Sequence, residues 1–262
     1  MIIKIVLILF LAYIVICAAI YFLQEKLVFH PEKLSSDFVY KFDIPFEEKN
    51  FQMQDGATIN ALWFHKPDPK GLIFYCHGNA GSLSSWGNEA GKFIERGYEL
   101  FIFDYRGYGK STGSNSQEIL FTDAQTLYNE CKTHISEDKI IIYGRSLGSG
   151  IAAHLASQNH ACQLILDSPY YSLIDLKNHN YPFIPSFLMK YHIRTDEYLA
   201  NVKCPVTVFH GTKDAVIYYG SSLKLQKLFK SGDTLVTIPS GTHSDLANFT
   251  PYKDMLDKIL VK

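Results

Sequence analysis

The chain has 262 residues, enough for one large domain with a short extra segment and too few for two domains of ordinary size. Its 25 basic and 26 acidic residues leave a net charge of -1 without a basic run, which excludes an electrostatic surface for nucleic acid. Hydrophobic residues make up 47% of the chain, which allows a large core and excludes a disordered composition. The cysteines and histidines match no zinc-site spacing, so we expect neither a metal nor another cofactor.

The amino-terminal segment is apolar without interruption over residues 5–23. A helix rises about 1.5 Å per residue, so this run nearly crosses a hydrocarbon layer ~30 Å thick, and residues 1–24 are interpreted as a membrane anchor. A cleaved signal peptide is the alternative, because Lys4 precedes the run and Cys17-Ala18-Ala19 has the small residues of a cleavage site. The run continues past that site, which favours a retained helix with the membrane as its partner. Lysines flank both ends, so the pattern does not predict sidedness.

Residues 25–44 lack strong periodicity and are interpreted as a connector to a domain over residues 45–262. The domain begins with a hairpin signal, because Asp55-Gly56 separates two strand-like runs at 46–54 and 57–65. Further strand-like runs lie at 72–76, 99–103, 139–143, 163–166, 205–210 and 234–238, and helix-like runs at 86–96, 117–134, 149–157, 221–229 and 252–260. The alternation predicts an α/β fold with a mostly parallel, eight-stranded sheet and helices on both faces.

Residues 170–201 interrupt this alternation with an aromatic segment that several prolines punctuate. One interpretation is a cap inserted over the carboxyl edge of the sheet, where it shapes an apolar substrate pocket. The other is an ordinary helix pair that packs on the core.

The sequence Gly144-Arg145-Ser146-Leu147-Gly148 lies between a strand-like and a helix-like run. G-x-S-x-G in this context is typical of a nucleophile elbow, a tight turn that presents a serine hydroxyl above the carboxyl end of a parallel sheet. Glycines flank the serine because strand and helix approach so closely that a Cβ would clash. Such a pentapeptide also occurs by chance, so the assignment of Ser146 as a nucleophile depends on the rest of the chain.

A serine nucleophile needs an imidazole to take its proton and a carboxylate to orient that imidazole. Asp214 follows a strand-like run, and His243 lies in the loop after the last strand, which gives the order serine, acid, histidine. Asp167 ends the strand after the elbow helix and is the rival acid. Among the other histidines, His210 is expected to pack beside a glycine turn.

An oxyanion hole needs backbone N–H donors aimed at the reacting carbonyl oxygen. The amide of Leu147, at the start of the elbow helix, is one candidate. The second is the amide of Asn79, in the loop His77-Gly78-Asn79-Ala80-Gly81 after an apolar strand, where His77 is expected to brace the turn. Asp104 and Arg106 could form a pair in the site, but they are expected instead to brace a neighbouring loop and to take no part in catalysis.

Four motifs together resemble the membrane-anchored α/β-hydrolase domain proteins: residues 76–81, 104–111, 144–150 and 210–214. That family includes lysophospholipid and monoacylglycerol lipases, protein depalmitoylases and bacterial serine-aminopeptidase-like relatives. The resemblance covers about residues 45–260 and implies the α/β-hydrolase fold, with Ser146 as nucleophile, Asp214 as acid, His243 as base and Asn79 and Leu147 at the oxyanion hole. The chain departs from the family in lacking a proline after Asp214 and in a less glycine-rich histidine motif at 241–246.

The sequence therefore predicts a membrane-anchored serine hydrolase that cleaves a carboxylic ester or thioester, small-molecule or lipidic, through an acyl-serine intermediate. An aminopeptidase is the alternative enzyme, and it would need a carboxylate such as Asp175, Asp196 or Glu197 to bind the substrate's amine. A non-catalytic binding module on an inherited fold is the alternative from a different class.

Overall fold

The computed structural model describes residues 1–261. Ten strands are present in this part of the chain: β1 His30–Pro31, β2 Phe46–Gln52, β3 Thr58–Phe64, β4 Gly71–Cys76, β5 Ala80–Gly81, β6 Tyr98–Phe103, β7 Ile140–Arg145, β8 Gln163–Asp167, β9 Val206–Gly211 and β10 Thr234–Ile238. The α-helices are α1 Ile2–Val28, α2 Leu83–Trp86, α3 Ala90–Ile94, α4 Gln117–His134, α5 Leu147–Gln158, α6 Leu173–Asn180, α7 Thr195–Leu199, α8 Gly220–Gln226 and α9 Thr250–Leu260.

The main sheet has eight strands in the order β10-β9-β8-β7-β4-β6-β3-β2. The hairpin β2–β3 and the pair β3–β6 are antiparallel, and the other neighbours are parallel. Helices α4, α5 and α8 contribute buried apolar side chains to one face, and α3 and α9 contribute them to the other. The predicted mostly parallel sheet with helices on both faces is confirmed.

The helix expected at residues 86–96 is broken. Helix α2, a 3-10 turn over Gly87–Glu89 and helix α3 take its place, and the N-cap residue Ser82 accepts a hydrogen bond from the amide of Ser84. The break occurs where the chain passes beneath Phe42, whose ring lies so close to Gly87 that a Cβ at this position would overlap it. The other main-sheet strands and their helices lie within a few residues of the predicted runs.

Helix α1 is long and apolar enough to cross a membrane, with a mean hydropathy of 3.0 over its most apolar 18 residues, none of them buried. It ends at Val28, four residues beyond the predicted end of the anchor. The segment expected to be a connector is packed on the domain: Phe29 and Tyr40 are buried, and β1 pairs in parallel with β5. The hydrophobic residues of this segment show no periodicity, so the sequence pattern does not predict that Phe29 and Tyr40 pack on the domain.

The segment over residues 170–201 is buried at its ends and exposed in its middle. At its ends, Tyr170, Tyr191 and Ile193 are buried in the core. Its middle, residues 181–189, lies at the surface with exposed aromatic side chains and contains no charged residue. We call residues 181–189 the cap loop.

Candidate active site

Strand β7 ends at Arg145 and α5 begins at Leu147, so the whole turn is made by Ser146. The backbone of Ser146 has φ 51 and ψ -117, an unusual conformation for a residue with a side chain. A Cβ at Gly144 would lie 2.5 Å from the Cβ of Ala152, and one at Gly148 would lie 2.6 Å from the carbonyl oxygen of His77. The two glycines therefore allow strand, helix and the neighbouring loop to meet at the serine.

We expect Gly148→Ala to lower the free energy of unfolding by about 1 to 3 kcal/mol, because the new methyl group overlaps the backbone of Cys76 and His77. Gly91→Ala is the matched control: it lies in α3, its Cβ would meet nothing nearer than Ile44 at 3.8 Å, and the helix gains up to about 1 kcal/mol. Urea denaturation of both variants measures the difference. Equal stability of the two variants would contradict the close approach at the elbow.

The loops after β9 and β10 bring Asp214 and His243 to the serine. His243 Nε2 lies 3.1 Å from Ser146 Oγ, and His243 Nδ1 lies 2.8 Å from Asp214 Oδ2. Since a carboxylate only accepts, Nδ1 carries the proton that it donates to Asp214, and Nε2 is left to accept from the serine hydroxyl. The three side chains predicted as nucleophile, base and acid thus form one hydrogen-bonded chain, in the tautomer that proton abstraction requires.

Asp214 is held on both of its oxygens. Its Oδ1 accepts from the amides of Val216 and Ile217 at 2.9 and 2.8 Å, and its Oδ2 lies 3.3 Å from His210 Nε2 as well as beside His243. Burial opposes ionisation of the carboxyl group, but the interactions with His210 and His243 outweigh it and hold the pKa of Asp214 well below its usual range. The acid is therefore ionised at neutral pH and oriented toward the imidazole.

The rival candidates point elsewhere. The Asp167 carboxylate accepts a hydrogen bond of 2.7 Å from Tyr143 Oη beneath the site, and its backbone carbonyl accepts from the amide of Ser146. His210 is buried: Nε2 donates to the carbonyl of Ile217 at 2.8 Å, and Nδ1 accepts from Ser222 Oγ. His210 thus packs as expected, and it also braces Asp214, a role that the sequence pattern did not indicate.

The loop that carries Asn79 lies beside the elbow, since the Cβ of Ser146 is 3.6 Å from the position of a Cβ on Gly78. Within residues 1–261, neither the amide of Asn79 nor that of Leu147 donates to a protein acceptor. Leu147 is the first residue of α5, where amides point out of the helix and the helix dipole favours negative charge. Both amides are free to bind an oxyanion.

Contacts from outside the loop hold Asn79 in place. Its side-chain amide donates to the carbonyl of Val28 at 2.8 Å, and its own carbonyl accepts from the amide of His30 and from Tyr108 Oη. Tyr105 Oη donates to the carbonyl of His77 at 2.8 Å. The end of α1 and β1 therefore form part of the support for this loop, which the sequence reasoning missed because no spacing links residues 28–30 to residue 79.

Charged residues near the loop have the bracing roles expected of them, but Asp104 and Arg106 do not pair with each other. Asp104 accepts from the amide of Leu83 at 3.1 Å, and burial raises the pKa of its carboxyl group. Arg106 donates to Asp123 at 2.7 Å. His77 is buried, and its Nδ1 lies 2.6 Å from the carbonyl oxygen of Gly78.

The parallel sheet with a serine at a strand–turn–helix elbow defines an α/β-hydrolase. A family model described as serine aminopeptidase, S33, matches residues 67–195. An uncharacterised protein of Escherichia coli O157:H7, YfhR, is 31% identical over 212 residues that cover 76% of this chain and 74% of the relative. The α/β-hydrolase domain-containing protein WAV2 of Arabidopsis thaliana is 29% identical over 85% of this chain and 82% of its own. The chain therefore belongs to the α/β-hydrolase family of these relatives.

Solved structures agree on the fold. An esterase of Pyrococcus furiosus superposes with a TM-score of 0.69 at 17% sequence identity, and the match covers 90% of this chain and 99% of the esterase. At that identity the likeness supports the architecture alone.

Proposed function

We propose that the protein is a serine hydrolase that cleaves a carboxylic ester or thioester through an acyl-serine intermediate. The observation that carries the proposal is the hydrogen-bonded chain from Asp214 through His243 to Ser146, with contacts of 2.8 and 3.1 Å. The free amides of Asn79 and Leu147 beside Ser146 support it, because acyl transfer develops negative charge on the carbonyl oxygen.

In this mechanism Ser146 Oγ attacks the substrate carbonyl while His243 Nε2 takes the hydroxyl proton. The two amides bind the tetrahedral oxyanion, and Asp214 stabilises the imidazolium of His243. The imidazolium then protonates the departing alkoxide or thiolate, which leaves the acyl group on Ser146. A water molecule deprotonated by His243 attacks this acyl-enzyme, and the return of the proton to Ser146 releases the carboxylic acid.

We further propose that α1 is retained as a membrane anchor and that the substrate is acyl-bearing. The exposed apolar surface of α1 supports the anchor. Retention is supported by contacts on both sides of the candidate cleavage site at residues 17–19: Tyr13 Oη donates to the carbonyl of Phe183, and buried Gln24 binds Leu188. The exposed cap loop supports an apolar substrate.

The aminopeptidase alternative is less well supported by the carboxylates around the cap. Asp175 already binds Tyr218 Oη and Lys224 Nζ, each at 2.5 Å. Asp196 and Glu197 both pair with Arg194, at 2.6 and 2.9 Å. A substrate ammonium would have to displace one of these cations, so ester cleavage fits the geometry better.

A substrate panel tests the proposal: p-nitrophenyl esters from acetyl to palmitoyl, the matching acyl thioesters, and aminoacyl-naphthylamides. We expect turnover of esters or thioesters that increases with acyl length, and none of the naphthylamides. Turnover confined to the naphthylamides would favour the aminopeptidase, and no turnover of any class would favour a binding module.

We expect Asn79→Ala to lower kcat about tenfold with little change in KM. The variant keeps the backbone amide but loses the hydrogen bond to Val28, so the donor is less well positioned, and the loss stays below the ~100-fold of a deleted oxyanion donor. Asn88→Ala, which removes an exposed side chain bonded to Ser85, is the control. A change in KM with kcat unchanged would contradict this role of the side chain.

A further inference from the structure

Helix α1 and the cap loop are joined along half of the helix. Besides the Tyr13 hydrogen bond of 2.9 Å, Gln24 Nε2 donates to the carbonyl of Leu188 at 3.0 Å, and Gln24 Oε1 accepts from the amide of Lys190 at 2.7 Å. Lys190 also pairs with Glu25 at 3.3 Å. An apolar groove of about 500 Å³ lies between α1 and the cap loop. It is lined by one face of α1 and by Pro185, Phe187 and Leu188.

The length of α1 sets the depth of the cap loop. A helix needs about 20 residues to cross ~30 Å of hydrocarbon. Only residues 2–12 extend beyond the Tyr13 contact, which amounts to about 16 Å of helix. If α1 crosses the bilayer, the turns that contact the cap loop lie in the hydrocarbon too, and the loop lies there with them.

The surface of the cap loop fits an apolar environment. Phe187 is 84% exposed, Phe183 64% and Tyr181 54%, and Phe187 lines the apolar groove together with one face of α1. A patch of this kind on a soluble domain marks an interaction site. Lys190, directly after the loop, has a partly exposed side chain that pairs with Glu25, as a basic residue at a membrane interface would.

More than half of the backbone N–H and C=O groups of the cap loop have a hydrogen-bond partner within the protein. The carbonyls of Phe183, Ile184 and Leu188 accept hydrogen bonds from the side chains of Tyr13, Lys177 and Gln24. Two residues of the loop are prolines, which have no N–H to satisfy. Irregular backbone at membrane depth requires such internal partners, because hydrocarbon offers none.

We propose that the cap loop is embedded with α1 in the near half of the lipid bilayer. This inference rests on the proposed anchoring of α1. Because Val28, at the domain end of the same helix, binds Asn79, the catalytic serine then lies at the membrane surface. The acyl chain of a lipid substrate enters from the bilayer beside the cap loop and does not cross water.

Quenching of tryptophan fluorescence by brominated lipid tests the proposal. The full chain is reconstituted in phosphatidylcholine vesicles with bromine on the acyl chains, and each variant's spectrum is corrected with that of the wild type. We expect Phe187→Trp and Phe183→Trp to be quenched at least twofold with blue-shifted emission. Val261→Trp is the control, because this exposed residue follows Leu260, whose carbonyl binds Lys70 at the opposite edge of the sheet.

Ile8→Trp, on the free half of α1, reports insertion of the helix itself. Quenching of Ile8→Trp without quenching at positions 183 and 187 would overturn the proposal and leave the anchor standing. Absence of quenching at all three positions would overturn both. Hydrolysis of a soluble ester in the same samples tests the proposed catalysis separately. A failure of the quenching prediction can therefore be distinguished from a failure of the proposed function.

Discussion

Replacement of Ser146 by alanine is expected to lower kcat by about six orders of magnitude, because the serine, histidine and acid of such a site act as a unit. The variant retains the amides of Asn79 and Leu147, so a residual rate about 10³-fold above that in water remains. Burst kinetics with a p-nitrophenyl ester and labelling with a fluorophosphonate probe measure the loss. The probe should label wild type and leave Ser146→Ala unlabelled.

Two controls sharpen this prediction. Ser114→Ala removes an exposed serine and should leave both labelling and turnover unchanged. The double variant Ser146→Ala/His243→Ala should be no slower than Ser146→Ala alone, since the base has no proton to take once the hydroxyl is gone. Additive losses in the double variant, or labelling that persists without Ser146, would show that the nucleophile is another residue.

Replacement of Asp214 by asparagine is expected to lower kcat about 10⁴-fold. The asparagine oxygen can still accept from Val216 and Ile217, so the turn is retained. Its amide, however, donates to His243 Nδ1 and moves the ring proton to Nε2, where it faces Ser146 and prevents proton abstraction. The expected signature is therefore a loss of kcat with a much smaller change in KM.

The matched control is Asp167→Asn, which keeps an acceptor for Tyr143 and has no contact with His243. We expect its kcat to stay within a few-fold of wild type, and a loss as large as that of Asp214→Asn would reassign the acid.

The pH dependence of stability gives an independent check on Asp214. Because the pKa of Asp214 is depressed in the folded state, its ionised form stabilises the fold above the unfolded-state value near 4, and this stabilisation is lost as the pH falls. We therefore expect the difference in unfolding free energy between wild type and Asp214→Asn to become smaller as the pH falls below about 4.

Local pattern was enough to predict the main sheet, most of its helices and the residues at the elbow. A buried parallel strand needs a short apolar run, and a serine turn between strand and helix needs glycines, so both appear as contiguous signals. The carboxyl ends of parallel strands meet at one edge, which is why Asp214 and His243 were expected beside Ser146. The break at Gly87 was not predicted, because it depends on Phe42, a residue distant in sequence.

The sequence by itself determined the fold class and the three side chains of the proposed catalytic chain, since each lies at a strand end that periodicity locates. Only the tertiary structure decided what supports them. The choice of Asp214 over Asp167 rests on which carboxylate reaches His243 Nδ1. Val28 and Asn79 belong to segments 51 residues apart, and His210 reaches Asp214 only because the turn after β9 folds back onto the end of its own strand. Such contacts leave no periodic signal, because each is a single meeting of side chain and backbone that the packing of whole elements brings about.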